Sequence, residues 1–319
     1  MAPCQRYSAG AMSPFVFDTG IPFLQAGEIY AFSCALLWAV AVILFRKTGE
    51  TIEPVALNLF KAVVGLLLFA VTMPIFGVPF FPEGAPLADW LVLLGSGALG
   101  IAVADSVFFA SLNRLGAGRS AIVDCMYSPF VVLCSALYLG EPRGPWLLPA
   151  MALMVVAILV GTWSPEERAD DPAARRAIRE GVVLGIVAML TMAAGIVWAK
   201  PVLDRSQPMW ATTVRLAGGA IFLAAQGAMP RWRRGVIKVF SPGPHWKVAI
   251  PAATIGTYFA LFLWILGMTY TQTNTASVLN QSSTVFILIL ATIFLKEPLT
   301  WKRGVAIVMG MAAAVMVAL

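Results

Sequence analysis

This chain has little charge, almost no histidine, and no paired cysteines. Only 12% of its 319 residues are charged, about half the share in a soluble domain. His245 is the single histidine, which excludes histidine-based catalytic pairs and histidine-rich metal sites. The four cysteines, Cys4, Cys34, Cys125 and Cys134, never fall in a C-x-x-C spacing, so neither a disulfide framework nor a thiolate metal site is expected. The first 26 residues, MAPCQRYSAGAMSPFVFDTGIPFLQA, lack the basic start and long apolar run of a signal peptide. They are read as a flexible lead-in.

What is present is apolar sequence, 60% of the chain. It comes in blocks of about twenty residues, each long enough to cross a ~30 Å hydrocarbon layer. A bilayer offers no partner to unpaired backbone groups, so every block is read as a helix. The expected fold is an all-α, multi-pass integral membrane protein with ten transmembrane helices at about 28–45, 54–73, 89–112, 120–139, 145–163, 181–199, 209–227, 248–269, 274–295 and 304–319. A charged run, SPEERADDPAARRAIRE at 164–180, reads as a linker between two halves, 27–163 and 181–319. The net charge of +6 is spread through loops rather than along a stripe, so it implies membrane orientation and not nucleic-acid binding. With both termini inside, only Arg6, Arg143, Lys200 and Arg205 would lie in cytoplasmic loops. The positive-inside rule therefore favours both termini outside, in the bacterial inner membrane.

The halves repeat. A shift of 156 carries Gly100 onto Gly256, Phe130 onto Phe286 and Glu141-Pro142 onto Glu297-Pro298; earlier in each half a shift of 154 carries Gly27 onto Gly181 and Lys61 onto Arg215. Two halves of five spans each must enter the membrane in opposite senses. This is the inverted repeat of many secondary transporters, whose site lies near the midplane. The scaffold is repeated but the charge is not: Asp124 becomes Asn280 and Asp105 becomes Leu261.

Together these features resemble the ten-helix EamA-like members of the drug/metabolite transporter superfamily. The resemblance rests on the duplicated halves, on Leu139-Gly140-Glu141-Pro142 and Leu295-Lys296-Glu297-Pro298, on Ser128-Pro129-Phe130 within the fourth span, and on Trp38 in the first. It implies a transporter of small metabolites, often an exporter, with a central cavity between the halves. It implies no cofactor. Two fused halves make a monomer sufficient in principle.

An ionisable residue inside a span costs at least ~2.5–3.5 kcal/mol on insertion scales and marks a functional-site candidate. Four such residues, Lys61, Asp105, Asp124 and Arg215, have formal charges that sum to zero. At ~1.5 Å per residue the first three lie at a similar depth of ~10–15 Å, so they can meet. Two readings follow. In one, Lys61 and an aspartate form a structural pair. In the other, one aspartate pairs with Lys61 while the second exchanges a proton or binds an amine. Arg215 either snorkels to the interface, offers its fork to a substrate carboxylate or phosphate, or pairs with an aspartate of the other half. Asn58 shares the Lys61 face. Asn280 and Gln281 sit mid-span, where helix–helix hydrogen bonding and cavity lining are equal alternatives. Trp38, Tyr127 and Tyr258 are candidates for an aromatic wall. Gly95-Ser-Gly97-Ala-Leu-Gly100 has no strand before it and is read as close helix packing rather than a dinucleotide loop. Glu141 and Glu297 are read as carboxylates favouring the start of the helix that follows each.

The function expected from this is secondary transport of a small polar or amphipathic metabolite by alternating access, with proton coupling as one mechanism. The alternatives are an uncoupled facilitator or exchanger, and a membrane enzyme acting on lipid-linked substrates, for which the loops offer no catalytic cluster.

Overall fold

The computed structural model describes residues 26–140, 145–162, 172–271 and 273–318. The N-terminal lead-in, the Glu141-Pro142 signature and the first part of the charged linker, residues 163–171, lie outside them. All regular structure among the described residues is helical. The first half holds α1 (Ala26–Thr48), α2 (Pro54–Ile75), α3 (Leu87–Gly97), α4 (Ala104–Leu115), α5 (Ala117–Asp124), α6 (Tyr127–Tyr138) and α7 (Leu147–Thr162). The second holds α8 (Pro172–Leu203), α9 (Pro208–Gly227), α10 (Pro230–Phe240), α11 (Trp246–Ala253), α12 (Leu261–Tyr270), α13 (Thr273–Asn280), α14 (Ser283–Phe294) and α15 (Trp301–Ala318).

Among the described residues six helical stretches are long and apolar enough to cross a membrane: α1, α2, Leu87–Leu115, Ala117–Tyr138, α8 and Trp246–Tyr270. Leu148–Gly161 and Val278–Phe294 are shorter apolar helices. The local chemistry fits that setting. Pro54, Pro208 and Pro230 open α2, α9 and α10 at the first helical position, where a missing N–H costs nothing. Hydroxyls within the helices donate to carbonyls one turn back, as Thr72 does to Leu68 at 3.0 Å and Thr292 to Leu288 at 2.9 Å, so they do not need water.

The repeat is visible as matched irregularities. A π-helical segment at Ala98–Val103 joins α3 to α4, and a second at Thr254–Ala260 joins α11 to α12. Each starts 156 residues from the other. The breaks between α5 and α6, after Asp124, and between α13 and α14, after Asn280, fall at the same offset. Each half also lends its first helix to the other. α1 packs along α11, α12, α13 and α14, whereas α8 packs along α3, α4 and α6. The broken spans cross, α5 against α14 and α13 against α6. Any space at the centre is therefore walled by both halves.

Three sequence expectations need correction. Residues 172–180, read as the end of the linker, continue helix α8. The basic stretch after α9, read as a loop, contains the amphipathic helix α10, with Arg231, Arg233, Arg234 and Lys238. The turn between α4 and α5 is shorter than expected: Gly116 alone reverses the chain, at φ +78°, a left-handed conformation that glycine adopts without penalty.

Candidate functional site

A cavity of about 930 Å³, counted out to its open mouth, lies where the halves meet. Eight of the ten candidate residues line it: Trp38, Lys61, Asp105, Asp124, Tyr127, Arg215, Asn280 and Gln281. They come from α1, α2, α4, α5, α6, α9, α13 and the break after α13, so distant sequence segments converge on one space.

Lys61 and Asp105 form a buried ion pair, with Nζ 2.5 Å from Oδ2 and the two side chains 4% and 9% exposed. The Lys61 ammonium also lies 5.6 Å from the centre of the Phe109 ring, a favourable cation–π placement. Asp124 is different. It lines the cavity from the last residue of α5, and among the described residues no group donates to it or pairs with it.

Arg215 does not snorkel. It is 4% exposed, and its Nε donates to Ser96 Oγ at 3.1 Å, while Ser96 Oγ donates to the Leu93 carbonyl at 2.9 Å. Close backbone packing fixes it there. A Cβ on Gly97 would fall 1.7 Å from the Arg215 carbonyl oxygen, and one on Gly100 would fall 3.5 Å from Nη2. Gly97 thus lets α3 touch α9, while Gly95 makes room for Trp198 of α8. Among the described residues no carboxylate lies within ion-pair distance of Arg215, although Asp105 and Tyr127 of the other half act on it electrostatically, so its outer fork has no direct counter-ion.

Two polar atoms of the lining, Asn280 Oδ1 and Thr257 Oγ1, are buried without a hydrogen-bond partner. The remaining wall is largely apolar, including Phe108, Met189, Met192 and Trp264. Tyr127 and Trp264 meet edge-on with ring centres 5.9 Å apart.

Two candidates stand outside the lining. Asn58 is fully buried. Its Nδ2 lies 2.9 Å from the Ile101 carbonyl, 3.0 Å from the Ala102 carbonyl and 2.9 Å from Ser106 Oγ. It satisfies the first π segment, whose wider turn displaces carbonyls from the α ladder. Tyr258 packs against Phe69 and Phe259, at 4.8 and 4.9 Å between ring centres. Glu297 caps a helix start, but not that of the following helix. It accepts from the backbone N–H groups of Ala117 at 2.7 Å and Gly118 at 2.9 Å, so it closes the N-terminus of α5 in the other half. Ser96 and Thr257 were missed from sequence, because lone hydroxyls in apolar runs carry no periodic signal.

Comparison with known proteins agrees with this architecture. A model of the EamA-like transporter family matches residues 25–163 and 179–319. The chain belongs to the EamA-like transporter family. It is accordingly an integral membrane protein, in which one family repeat contributes Lys61, Asp105 and Asp124 and the other Arg215 and Asn280. Among its relatives is the pseudopaline exporter CntI of Pseudomonas aeruginosa, 28% identical over 44% of this chain and 48% of that protein. Protein PecM of Dickeya dadantii is 24% identical over 90% of this chain and 91% of its own length. The chain thus spans about half the length of the first curated relatives it matches. One solved crystal structure superposes with a TM-score of 0.65 at 16% identity, covering 91% of this chain and 96% of its own, which extends the likeness of fold to nearly the whole length.

Proposed function

We propose that this EamA-like protein is a secondary transporter that exports a small polar or amphipathic metabolite by alternating access. The observation that carries the reading is the shared cavity. Four ionisable side chains from the two family repeats converge on one space, as expected where two rigid halves rock about a central site. In this reading there are ten spans. Leu87–Leu115, Ala117–Tyr138, Trp246–Tyr270 and the α13–α14 pair each count once, beside α1, α2, α7, α8, α9 and α15. The repeats run over 27–163 and 181–319, joined by a charged segment at 164–180 whose last part, from residue 172, is the start of helix α8, with both termini outside the bacterial inner membrane and a monomer sufficient for function. The export direction is borrowed from the printed name of the CntI relative.

Asp124 is the residue that couples transport to protons. It is the one carboxylate of the lining without a cationic partner, so a proton or a cationic group can neutralise it, but not both at once. Mutually exclusive occupancy of one group makes an exchanger. The test is reconstitution in liposomes holding a pH-sensitive dye, with amines, amino acids and sugar phosphates supplied outside. A transported compound moves luminal pH with the wild type, whereas Asp124→Asn carries it without a pH change or not at all. The uncoupled alternative predicts uptake that never moves luminal pH. If no compound enters faster than into protein-free liposomes, the transport reading fails.

A further inference from the structure

The four charges of the cavity are not equivalent. Lys61 and Asp105 satisfy each other at 2.5 Å. Asp105 also acts on Arg215 electrostatically but makes no ion pair with it, and among the described residues Asp124 has no ionic partner, so one group of each sign lacks a direct counter-ion in a space with a largely apolar wall. A charge removed from water without a partner costs several kcal/mol. An amine would neutralise Asp124 and leave Arg215; an organic acid would do the reverse. A single ligand bearing both charges answers both.

The repeat explains how this asymmetry arises. Arg215 stands where the first half has Lys61, and Leu261 stands where the first half has Asp105. The second half therefore lacks the carboxylate that would have neutralised its cation, and Leu261 lines the cavity in its place. Asn280 is the counterpart of Asp124 and keeps the acceptor oxygen without the charge. Its Oδ1 is buried and unpartnered. Asp124 and Asn280 also end α5 and α13, the two half-helices of the crossing spans. The Sγ of Cys125, next to Asp124, lies 3.5 Å from Thr284 Oγ1 beyond the second break, which ties the breaks to one another. The Asp124 carboxylate and the Asn280 amide oxygen are acceptors in the cavity, and the Arg215 fork supplies donors.

We propose that the cavity binds a zwitterion with an apolar body: a protonated amine at Asp124 and Asn280, a carboxylate at the Arg215 fork, and the apolar part against Trp38, Phe108 and Trp264. This rests on the transporter reading above and names its class of cargo. The substrate bridges the two repeats, because each end is held by a charge from a different half.

The test uses two matched sets of probes on the purified full-length protein: L-leucine, 3-methylbutylamine and 4-methylpentanoate, and L-phenylalanine, phenethylamine and 3-phenylpropanoate. A ligand of the folded state raises the melting temperature in proportion to its binding. The zwitterion of at least one set is expected to stabilise the wild type more than its amine or its acid at equal concentration. Asp124→Asn is expected to weaken the zwitterion and the amine by about 10- to 100-fold, the size of a charged hydrogen bond, without affecting the acid. Arg215→Gln is expected to do the converse. The wild-type comparison stands even if a variant folds poorly. An amine or an acid that outperforms its zwitterion overturns the proposal, as does the absence of any shift with all six probes. Stabilisation by sodium over choline, lost in Asp124→Asn, would reassign the acceptor end to a metal cation and also overturn it. Each of these leaves the transporter reading intact, because that reading falls only if the liposome assay shows no translocation.

Discussion

Replacing the Lys61–Asp105 pair one partner at a time, and then both together, separates scaffold from cargo grip. With the two side chains 4% and 9% exposed, removing either partner strands a buried charge, which costs about 3–5 kcal/mol. At roughly 2 °C per kcal/mol for a chain of this length, Lys61→Met and Asp105→Leu are each expected to melt about 6–10 °C below the wild type. Leucine is the residue that the second repeat already carries at the equivalent place, Leu261. The double variant strands nothing, and a well-packed apolar replacement for a buried pair is often neutral, so it is expected within about 3 °C of the wild type. Melting is followed by tryptophan fluorescence in detergent and again with the preferred probe zwitterion present. The coupling between the sites should approach the sum of the two single costs. If the double variant loses the sum of the two single losses, the pair is not a mutually neutralising unit. If it keeps its stability but no longer responds to the zwitterion, the pair takes part in recognition, and the assignment of the charged ends to Asp124 and Arg215 is wrong.

Two further outcomes follow from single contacts. Asn58→Leu removes the amide that serves the Ile101 and Ala102 carbonyls. It is expected to cost about 1–2 kcal/mol and to speed hydrogen exchange around residues 98–106; unchanged exchange there would separate Asn58 from the π segment. Glu297→Ala removes the acceptor of two backbone N–H groups at the start of α5. The expected cost is about 1–2 kcal/mol, with faster exchange at Ala117 and Gly118; unchanged exchange there would separate Glu297 from the start of α5.

The sequence carried the membrane setting, the duplication and the ionisable cluster, because each depends on a quantity that a chain displays directly: apolar run length, offset and charge. Lys61, Asp105 and Asp124 could be placed at one depth by counting residues from shared loops. The particular pairing could not. Lys61 chooses Asp105 over Asp124 because α2 packs on α4, and helix rotation is not written in span boundaries. Arg215 defeated the snorkelling alternative through Ser96 and Gly97, more than a hundred residues earlier. That glycine reads as generic packing until the backbone it admits is known. Glu297 followed the expected physics at an unexpected address: its motif announces a carboxylate for a helix start, but the start it finds lies 180 residues away. Asn58 shares a face with Lys61 as counted, and turns out to serve a helical defect that no periodicity predicts.

The contact of α3 with α9 has a consequence for how such a protein changes over generations. At Gly97 a Cβ would lie 1.7 Å from the Arg215 carbonyl oxygen, and at Gly218 one would lie 2.2 Å from the Leu94 carbonyl oxygen. Main chain meets main chain, with no side chain between. A bearing of this kind has no adjustable part. Trimming or enlarging a neighbour changes what surrounds it but not its own clearance, and any residue larger than glycine jams it. Descendants can therefore exchange the charges and rings that line the cavity while this backbone contact between the halves stays fixed beneath them.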